Sequence, residues 1–320
     1  KLHPGGIGEK DNLGSTPLHF LLLCNASSVL SDVKCDIELL KLMVKKFPAG
    51  ATIPTEKCGK LPIHIACETF CDESWQLLAQ AYPEGLKCQD SKGNLPIHLA
   101  CKGKDICCDD KQSPEAFVHL IEAYPDALRH QNKKGELPLH MAAMFGRQLD
   151  ASTIRLFVDK YPGGLEQTNN QGELPIHVAL SGRNHRGGRI ATEILSTCPG
   201  CAKIPDNNGD LPIHIAVQKR FVNTAMRLMD AYPEGLLHKN NIGQLPISLC
   251  IGSDDLFFIL AKRSPGSLFL GDTPLGDLVD YLLKHNLARK RADKLKELFR
   301  DCFDGSNQIC LLYTSDAADE

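Results

Sequence analysis

The sequence predicts an all-α protein, a solenoid of about seven helix–turn–helix repeats. Three observations predict this fold class. A six-residue phrase recurs along the chain, a second phrase with a proline recurs between its copies, and the apolar residues before the second phrase follow helical spacing. Hydrophobic residues make up 42% of the chain and charged residues 23%, a balance that allows a large buried core.

The first phrase reads glycine, one polar residue, leucine or threonine, proline, leucine or isoleucine, and then histidine. Its copies begin at Gly14, Gly59, Gly93, Gly135, Gly172, Gly209 and Gly243, where Ser248 replaces the histidine, and a degenerate copy begins at Gly271. Proline is favoured in the first turn of a helix, because its missing N–H would have no intrahelical partner there. The phrase therefore predicts the start of a first helix. In most repeats an Asp or Asn stands three residues before the glycine, which is typical of a turn.

The second phrase is an aromatic or small residue followed by proline. It occurs at Phe47, Tyr82, Tyr124, Tyr161, Cys198, Tyr232 and Ser264. Before several of these residues, apolar side chains recur at i, i+3, i+4 and i+7, as in Phe117, Leu120, Ile121 and Tyr124. This spacing predicts a second helix that the proline ends. Repeat length varies between the histidine and this proline, so we expect insertions such as 25–35 and 102–113 to lie between the two helices.

The repeats divide the chain into three parts. Residues 1–276 form the array: 1–13 are the tail of a partial repeat, and further repeats start near 14, 59, 93, 135, 172, 209 and 243, with the degenerate one at 271. Residues 277–309 turn helical and charged, so we expect them to cap the stack. Residues 310–320 resemble a translated sequencing-adapter frame, and we expect them not to be native. Both ends look cut, which suggests a piece of a longer protein.

Turn, helix, connector and helix at a minimum period of 34 residues resemble the ankyrin repeat. The hallmark Thr-Pro-Leu-His-x-Ala of that family appears here as Leu-Pro-Ile-His-Ile-Ala at residues 61–66 and 211–216. This divergent type is similar to ankyrin-like proteins of microalgae. One departure concerns the end of the second helix, where Tyr-Pro stands in place of the family's Gly-Ala.

The resemblance implies a protein–protein interaction module. Its partner, of unknown identity, would bind in a concave groove made of the turn tips and the exposed side of the first helices. The candidate contacts at the tips are Ser91, Lys92, Lys133, Lys134, Asn170, Gln171, Asn207 and Asn208. Those on the first helices are Lys102, Phe145 and Lys219, with Glu68 and Ser181. Phe145 is the large aromatic among them, and aromatic anchors dominate interface energies. The alternative is a regulatory or targeting array of a larger enzyme, of kinase or ubiquitin-system type.

The recurring histidines look like a catalytic or metal-binding set, but each lies in a different repeat. They are His19, His64, His98, His140, His177 and His214. Their position predicts a structural role as hydrogen-bonding residues at a helix start. We expect no catalytic residue, no metal and no cofactor, and therefore no enzyme in this chain.

The chain has 14 cysteines with irregular spacing, which indicates reduced thiols in a cytoplasmic or nuclear protein. Cys198 and Cys201 match a Cys-x-x-Cys pattern, although they occupy the slots of an aromatic residue and a glycine in other repeats. We interpret the two cysteines as substitutions by small residues at a helix end, and the alternative is a thiol-based sensor or enzyme. Cys101, Cys107 and Cys108 with Asp109 and Asp110 are a candidate metal site, but the sequence has no second Cys or His pair at matching spacing, so we expect no metal there.

Charge and hydropathy exclude other partners. The formal net charge is -3, too small for a nucleic-acid-binding field, and no apolar run reaches membrane-spanning length. The basic run from 284 to 296 includes an apolar stripe, so we interpret it as the solvated face of the capping helix. We interpret the glycine-rich residues 184–189 as a loop between two helices. The expected state is a monomer that binds neither nucleic acid nor membrane.

Overall fold

The computed structural model describes residues 9–12, 14–24, 37–69, 72–103, 114–145, 151–182, 187–250 and 254–264. Within these ranges every regular element is a helix and none is a strand, which confirms the all-α fold class. The chain divides into two units, 1–201 and 202–320. The degenerate repeat near 271, the predicted cap 277–309 with its basic run, and the segment 310–320 lie outside the described residues.

Unit 1 is a stack of helix pairs in two layers. The first helices are α1 Pro17–Cys24, α3 Pro62–Thr69, α5 Pro96–Lys102, α7 Pro138–Phe145 and α9 Pro175–Ser181; the second helices are α2 Ile37–Lys46, α4 Asp72–Ala81, α6 Pro114–Ala123, α8 Ala151–Lys160 and α10 Gly187–Thr197. Successive first helices pack against one another from α1 to α9. Second helices pack on one another in a parallel layer, as in α6 on α8 and α8 on α10.

The first helices are the centre of the core. Each begins at the proline of the first phrase, and α5 buries every residue from Pro96 to Cys101. A seven-residue helix is too short to be stable in isolation. It forms here because the neighbouring first helices α3 and α7 pack against two of its sides, and the 3-10 turn Pro83–Lys87 of the preceding repeat also contacts it. Small residues such as Ala66 and Ala100, both fully buried, allow the helices to approach closely.

The second helices are amphipathic, with the apolar stripe turned toward the first layer. The residues with helical spacing in the sequence are buried, for example Phe117, Leu120 and Ile121 on α6. The Phe117 and Phe157 rings of neighbouring second helices meet edge to face, with centroids 5.4 Å apart. Burial of one such side chain stabilises the fold by roughly 1.5–3 kcal/mol.

The aromatic-proline phrase ends each second helix in a particular way. Tyr82 leaves the helical region with φ −144° and ψ 81°, and Pro83 then begins a five-residue 3-10 turn, Pro83–Lys87. The same turn recurs in unit 1 as Pro48–Thr52, Pro125–Arg129 and Pro162–Glu166, and Pro199–Lys203 contains the boundary between the units. Where the ankyrin family has Gly-Ala, the Tyr-Pro of this chain therefore begins a tight turn. That turn buries the residue after its own glycine, such as Leu86 after Gly85.

Unit 2 contains α11 Pro212–Gln218, α12 Val222–Ala231 and α13 Asp254–Arg263. The 3-10 turn Pro233–Leu237 follows α12, and a shorter one, Pro246–Leu249, stands where the sequence predicts another first helix. That prediction is wrong for this repeat. Ser248 occupies the histidine position there and offers no imidazole nitrogen to the N–H of Leu245. The N–H groups of Ser248 and Cys250 donate to the carbonyls of Leu245 and Ile247, at 3.0 and 3.2 Å.

A second correction concerns the glycine-rich residues 184–189. The sequence predicts a loop there; residues 184–186 lie outside the described residues, but Gly187, Gly188 and Arg189 form the first turn of α10. Both glycines are buried. Glycine at a helix end costs less than in a helix middle, and the absence of a side chain suits a buried first turn. Thr192 donates its hydroxyl to the Gly188 carbonyl at 2.8 Å, which ties the first turn to the second.

The glycine that opens the first phrase adopts the left-handed conformation in every described repeat. At Gly135, φ is +74°, and an added Cβ would lie 2.5 Å from Asn170 Oδ1 and 2.8 Å from the Asn170 nitrogen. We expect Gly135→Ala to destabilise the protein by at least about 1–2 kcal/mol, since it combines backbone strain with a steric clash. Urea denaturation measures this loss.

The matched control for that substitution is Gly200→Ala. No heavy atom lies within 4 Å of the Cβ position at Gly200, and its φ is not in the left-handed region. This variant should unfold within about 0.5 kcal/mol of wild type. Equal stability of the two variants would contradict the proposed strain at the tip.

Candidate functional site

The turn tips of unit 1 form a continuous hydrogen-bonded row. The N–H of Ser91 donates to the Cys58 carbonyl at 2.9 Å, that of Lys133 to Lys92 at 3.0 Å, and that of Asn170 to Lys134 at 2.9 Å. Side chains strengthen the row, because Lys133 Nζ donates to the Ser91 carbonyl at 2.8 Å. We call residues 57–58, 91–92, 133–134 and 170–171 the tip row. All eight residues are exposed.

The structure therefore brings together six of the predicted contacts. Ser91, Lys92, Lys133, Lys134, Asn170 and Gln171 all lie in the tip row. Unit 2 has a similar contact of its own: the Asn241 N–H donates to the Asn208 carbonyl at 2.9 Å, and Asn241 Nδ2 donates to the Asn207 carbonyl at 2.9 Å. Asn207 and Asn208 are exposed there.

From Asp90 onward, a buried amide or carboxylate at the base of each described turn fixes the shape of the tip. Asn132 Oδ1 accepts from the N–H groups of Lys134 and Glu136, both at 2.9 Å. Its Nδ2 donates to Glu136 Oε2 at 2.8 Å and to Asn94 Oδ1 at 2.9 Å. One amide thus closes its own turn and joins it to the previous repeat. Asp90 closes the preceding turn in the same manner, with Asn94 Nδ2 as its donor at 3.1 Å.

In the Asp90–Asn94 and Asn132–Glu136 pairs, one side-chain amide donates a hydrogen bond to one carboxylate. Asn132→Asp would place two buried carboxylates side by side, so we expect a loss of about 2–4 kcal/mol at pH 7. Adding Glu136→Gln should recover most of that loss, because it recreates the Asp90–Asn94 arrangement with an amide in the second position. A double-mutant cycle by urea denaturation measures the coupling. Purely additive effects of the two substitutions would contradict the pairing.

The first-helix candidates lie at the other end of their helices. Lys102 and Phe145 are the last residues of α5 and α7, and Ser181 is the last of α9. An eight-residue helix rises about 12 Å, so these residues are separated from the tips by that length. All three are exposed, Phe145 by 37%. In unit 2, Lys219 follows α11 and is exposed.

Glu68 is not an exposed contact, contrary to the sequence prediction. Only 4% of it is exposed, and its carboxylate lies between two lysines. Lys60, just after the tip glycine, donates to Glu68 Oε2, and Lys102 Nζ lies 3.6 Å from Oε1. Sequence reasoning did not identify Lys60 in this role, because Lys60 precedes Glu68 by eight residues and lies outside α3. The Glu68 carboxylate thus links Lys60, which follows the turn tip before α3, with Lys102, the last residue of α5.

The repeated histidines, including His177, are fully buried, and Nδ1 of each accepts the N–H of the residue three positions before it. In unit 1, His98 Nδ1 accepts the Leu95 N–H at 3.2 Å, and its Nε2 lies 3.2 Å from the Glu136 carbonyl of the next repeat. Since Nδ1 faces a donor and Nε2 faces an acceptor, the imidazole is neutral with its proton on Nε2. The ring reaches back to the residue before the helix, as Glu or Gln does in a capping box. Equivalent contacts occur at His19, His64, His140 and His214.

Burial lowers the pKa of these imidazoles. The pKa values of His98 and His140 fall to about 4, chiefly because burial disfavours the charged ring. The pKa values of His19, His64 and His214 are lowered for the same reason. A ring that stays neutral at pH 7 while its two nitrogens bond the backbone is suited to a structural role.

Within the described ranges, no cluster of three His, Cys, Asp or Glu side chains could hold a metal ion. Cys101 is buried on α5, and burial raises the pKa of its thiol; Cys107 and Cys108 lie outside the described residues. The described helices include none long and apolar enough to cross a membrane.

One exposed apolar tip residue was not among the predicted contacts. Ile242, in the tip after Asn241 in unit 2, is 74% exposed. Every other described tip is polar or carries a cysteine, so an isoleucine at this position was a visible signal in the sequence. Exposed single apolar residues are common on protein surfaces, however, so Ile242 alone does not indicate a binding site.

Comparison with known proteins supports the architecture. The ankyrin repeat domain of Bcl-3, described as a unique member of the IkappaB protein family, superimposes with a TM-score of 0.57. The match covers 79% of this chain and 99% of that domain, at 19% sequence identity. No protein-family model matches the sequence, and no curated protein matches it. The similarity is therefore one of fold, and it confirms the ankyrin-like helix-turn-helix solenoid.

Proposed function

We propose that this chain, an ankyrin-repeat fold, is a protein–protein interaction module whose binding surface in unit 1 is the tip row together with the exposed ends of the first helices. The observation that carries the proposal is the tip row itself. Its residues are exposed side by side, while hydrogen bonds between repeats fix their backbones. A preformed surface loses little conformational entropy on binding.

Charge indicates the kind of partner segment. At the eight positions of the tip row there are four lysines, Lys57, Lys92, Lys133 and Lys134, and no acidic residue. Lys102 extends the basic surface to the end of α5, and Lys60 and Lys102 neutralise Glu68. Such a surface favours a segment with a net negative charge, whose association would weaken as salt increases.

Phe145 supplies an apolar anchor at the end of α7. Lys102 on α5 and Ser181 on α9 occupy the corresponding ends of the adjacent first helices. We expect an apolar side chain next to the acidic segment of the partner to pack against Phe145. The same surface would select targets for a larger enzyme under the alternative hypothesis, and the chemistry of recognition would not differ.

A peptide display library tests the proposal without a known partner. Random peptides selected on the wild-type chain should carry net negative charge. We expect the triple variant Lys92→Glu, Lys133→Glu, Lys134→Glu to bind them at least about tenfold more weakly, a change of about 1.4 kcal/mol. Titration by fluorescence anisotropy measures the affinity, and circular dichroism checks that the variant is folded.

The control makes the same change of charge on the other layer. Lys45 and Lys46 at the end of α2 and Lys160 at the end of α8 are exposed, so Lys45→Glu, Lys46→Glu, Lys160→Glu should bind as wild type does. If the control loses as much affinity as the tip variant, only net charge matters. If neither variant loses affinity, the tip row is not the binding surface.

A further inference from the structure

Two thiols meet at the end of α10. Cys198 follows the last residue of the helix, Pro199 begins the next 3-10 turn, and the Cys201 N–H returns to the Cys198 carbonyl at 3.2 Å. The two Sγ atoms are 2.7 Å apart, closer than unbonded sulfur atoms normally approach, yet longer than the about 2.05 Å of a disulfide bond. Cys198 is half-buried and Cys201 is fully buried.

Comparison with other repeats explains why the two thiols face each other. In the other repeats up to Tyr232, the Cys198 position holds an aromatic residue, and the Cys201 position holds a glycine or, after Tyr124, an alanine. A Cβ built on the glycine would lie 2.8–3.0 Å from that aromatic ring, as at Gly50 beside Phe47 and at Gly85 beside Tyr82. The architecture therefore sets these two positions against each other in each repeat. In this repeat alone among the described ones, both carry sulfur.

We propose that Cys198 and Cys201 form a redox site, which a hydroperoxide converts reversibly into an intrachain disulfide. The inference is independent of the proposed binding surface. A four-residue turn keeps its first and last Cα atoms within about 7 Å, close to the separation that a disulfide requires. The oxidation therefore needs rotation of two side chains and little movement of the backbone.

The order of the two steps follows from exposure. The accessible Cys198 thiol attacks a peroxide oxygen, and the O–O bond breaks to give a sulfenic acid and one water. The Cys201 sulfur then attacks the Cys198 sulfur, forms the S–S bond and expels hydroxide, which leaves as a second water with the Cys201 proton. Two thiols are oxidised by two electrons and one hydrogen peroxide is reduced to two waters. A dithiol reductant reverses the reaction.

Cys201 is suited to the second step. Burial and the neighbouring Cys198 sulfur raise the pKa of its thiol, so Cys201 is a poor first nucleophile. Its Sγ also lies 3.5 Å from the Leu165 carbonyl in the preceding 3-10 turn, Pro162–Glu166. Disulfide formation removes this S–H donor, so the oxidation state of the pair affects a contact between two neighbouring turns.

Mass spectrometry of the full chain tests the proposal. The tryptic peptide 190–203 carries both cysteines and no others. After treatment with hydrogen peroxide and alkylation with iodoacetamide, we expect this peptide to lose two hydrogens and take no alkyl group. Dithiothreitol should restore two alkylation sites. The exposed Cys58, in its own tryptic peptide, should remain alkylated at the same peroxide concentration.

Two single variants separate the steps. In Cys201→Ser, the sulfenic acid at Cys198 has no resolving thiol and should be captured by dimedone. In Cys198→Ser, Cys201 should neither be oxidised nor react with dimedone, because it is buried. Full alkylation of both cysteines in the wild-type peptide at every peroxide concentration would overturn the proposal, and so would oxidation of Cys58 before the pair. The wild-type measurement does not depend on the folding of either variant.

Discussion

His98→Phe should destabilise the protein by about 2–4 kcal/mol. Phenylalanine fills the space of the ring, but it leaves the buried Leu95 N–H without an acceptor and removes the donor to the Glu136 carbonyl. The Glu136 carbonyl keeps its bond from the Asn132 N–H, so the unpaired Leu95 donor accounts for most of the cost. The midpoint of urea denaturation measures the loss.

His98→Gln provides an intermediate case. A glutamine at the third helical position can accept the Leu95 N–H as in a capping box, but it cannot make both bonds from the place of the ring. We therefore expect His98→Gln to lose less stability, about 1–2 kcal/mol. The control is Lys92→Ala in the exposed tip row, which should have the same unfolding free energy as wild type.

Zinc should leave the melting temperature of wild type unchanged. A zinc-dependent rise that His98→Gln abolishes would instead assign these histidines to a metal.

Acid should weaken the fold well before ordinary carboxylates are protonated. The pKa values of His98 and His140 are about 4 in the folded chain, against an ordinary value of 6.5. Between these limits the unfolded chain binds protons that the folded chain does not, so the stability is complete above pH 6.5 and is lost as the pH falls toward 4. For each of the two histidines, we expect the free energy of unfolding to fall by about 2 kcal/mol between pH 7 and pH 5.

Urea denaturation at several pH values measures this dependence. Relative to wild type, His140→Gln should show a shallower fall in stability from pH 7 to pH 5, because it has one titrating group fewer. The negative charges of Glu136 near His140 and of Asp90 near His98 partly oppose the lowering of the two imidazole pKa values, while His130 adds to it at His98. An unfolding free energy that does not change between pH 7 and pH 5 would contradict the lowered pKa values.

The sequence predicted those parts of the fold that depend on local signals. The proline of the first phrase places the start of α3, α5, α7, α9 and α11, and the stripe of Phe117, Leu120 and Ile121 gives the buried face of α6. The 3-10 turn after each aromatic residue was not predicted, because Tyr-Pro indicates where a helix stops and not which turn follows. The loss of the first helix at Pro246 was not predicted, because Leu-Pro-Ile is the same helix-start signal there as in other repeats, and only Ser248 in place of histidine differs.

The sequence predicted which residues lie at the turn tips, but it did not predict which side chains contact one another. The tip residues follow from the register of the repeat. By contrast, Glu68 was assigned to the surface because its neighbours Lys60 and Lys102 belong to other elements, and their convergence on one carboxylate requires the packing of α3 against α5. The proximity of Cys198 and Cys201 was visible as a motif. Their opposition within a repeating turn became clear only from the aromatic-to-glycine contacts in the other repeats.

Lysine footprinting of the chain with a bound acidic peptide tests the central claim most directly. Lysines of wild type, alone and saturated with a peptide from the display selection, are acetylated briefly with an N-hydroxysuccinimide ester and quantified one by one by mass spectrometry. We predict that Lys92, Lys133 and Lys134 become protected, while Lys45, Lys46 and Lys160 on the second layer react at unchanged rates. Protection confined to the second-layer lysines would contradict the assignment of the tip row as the binding surface.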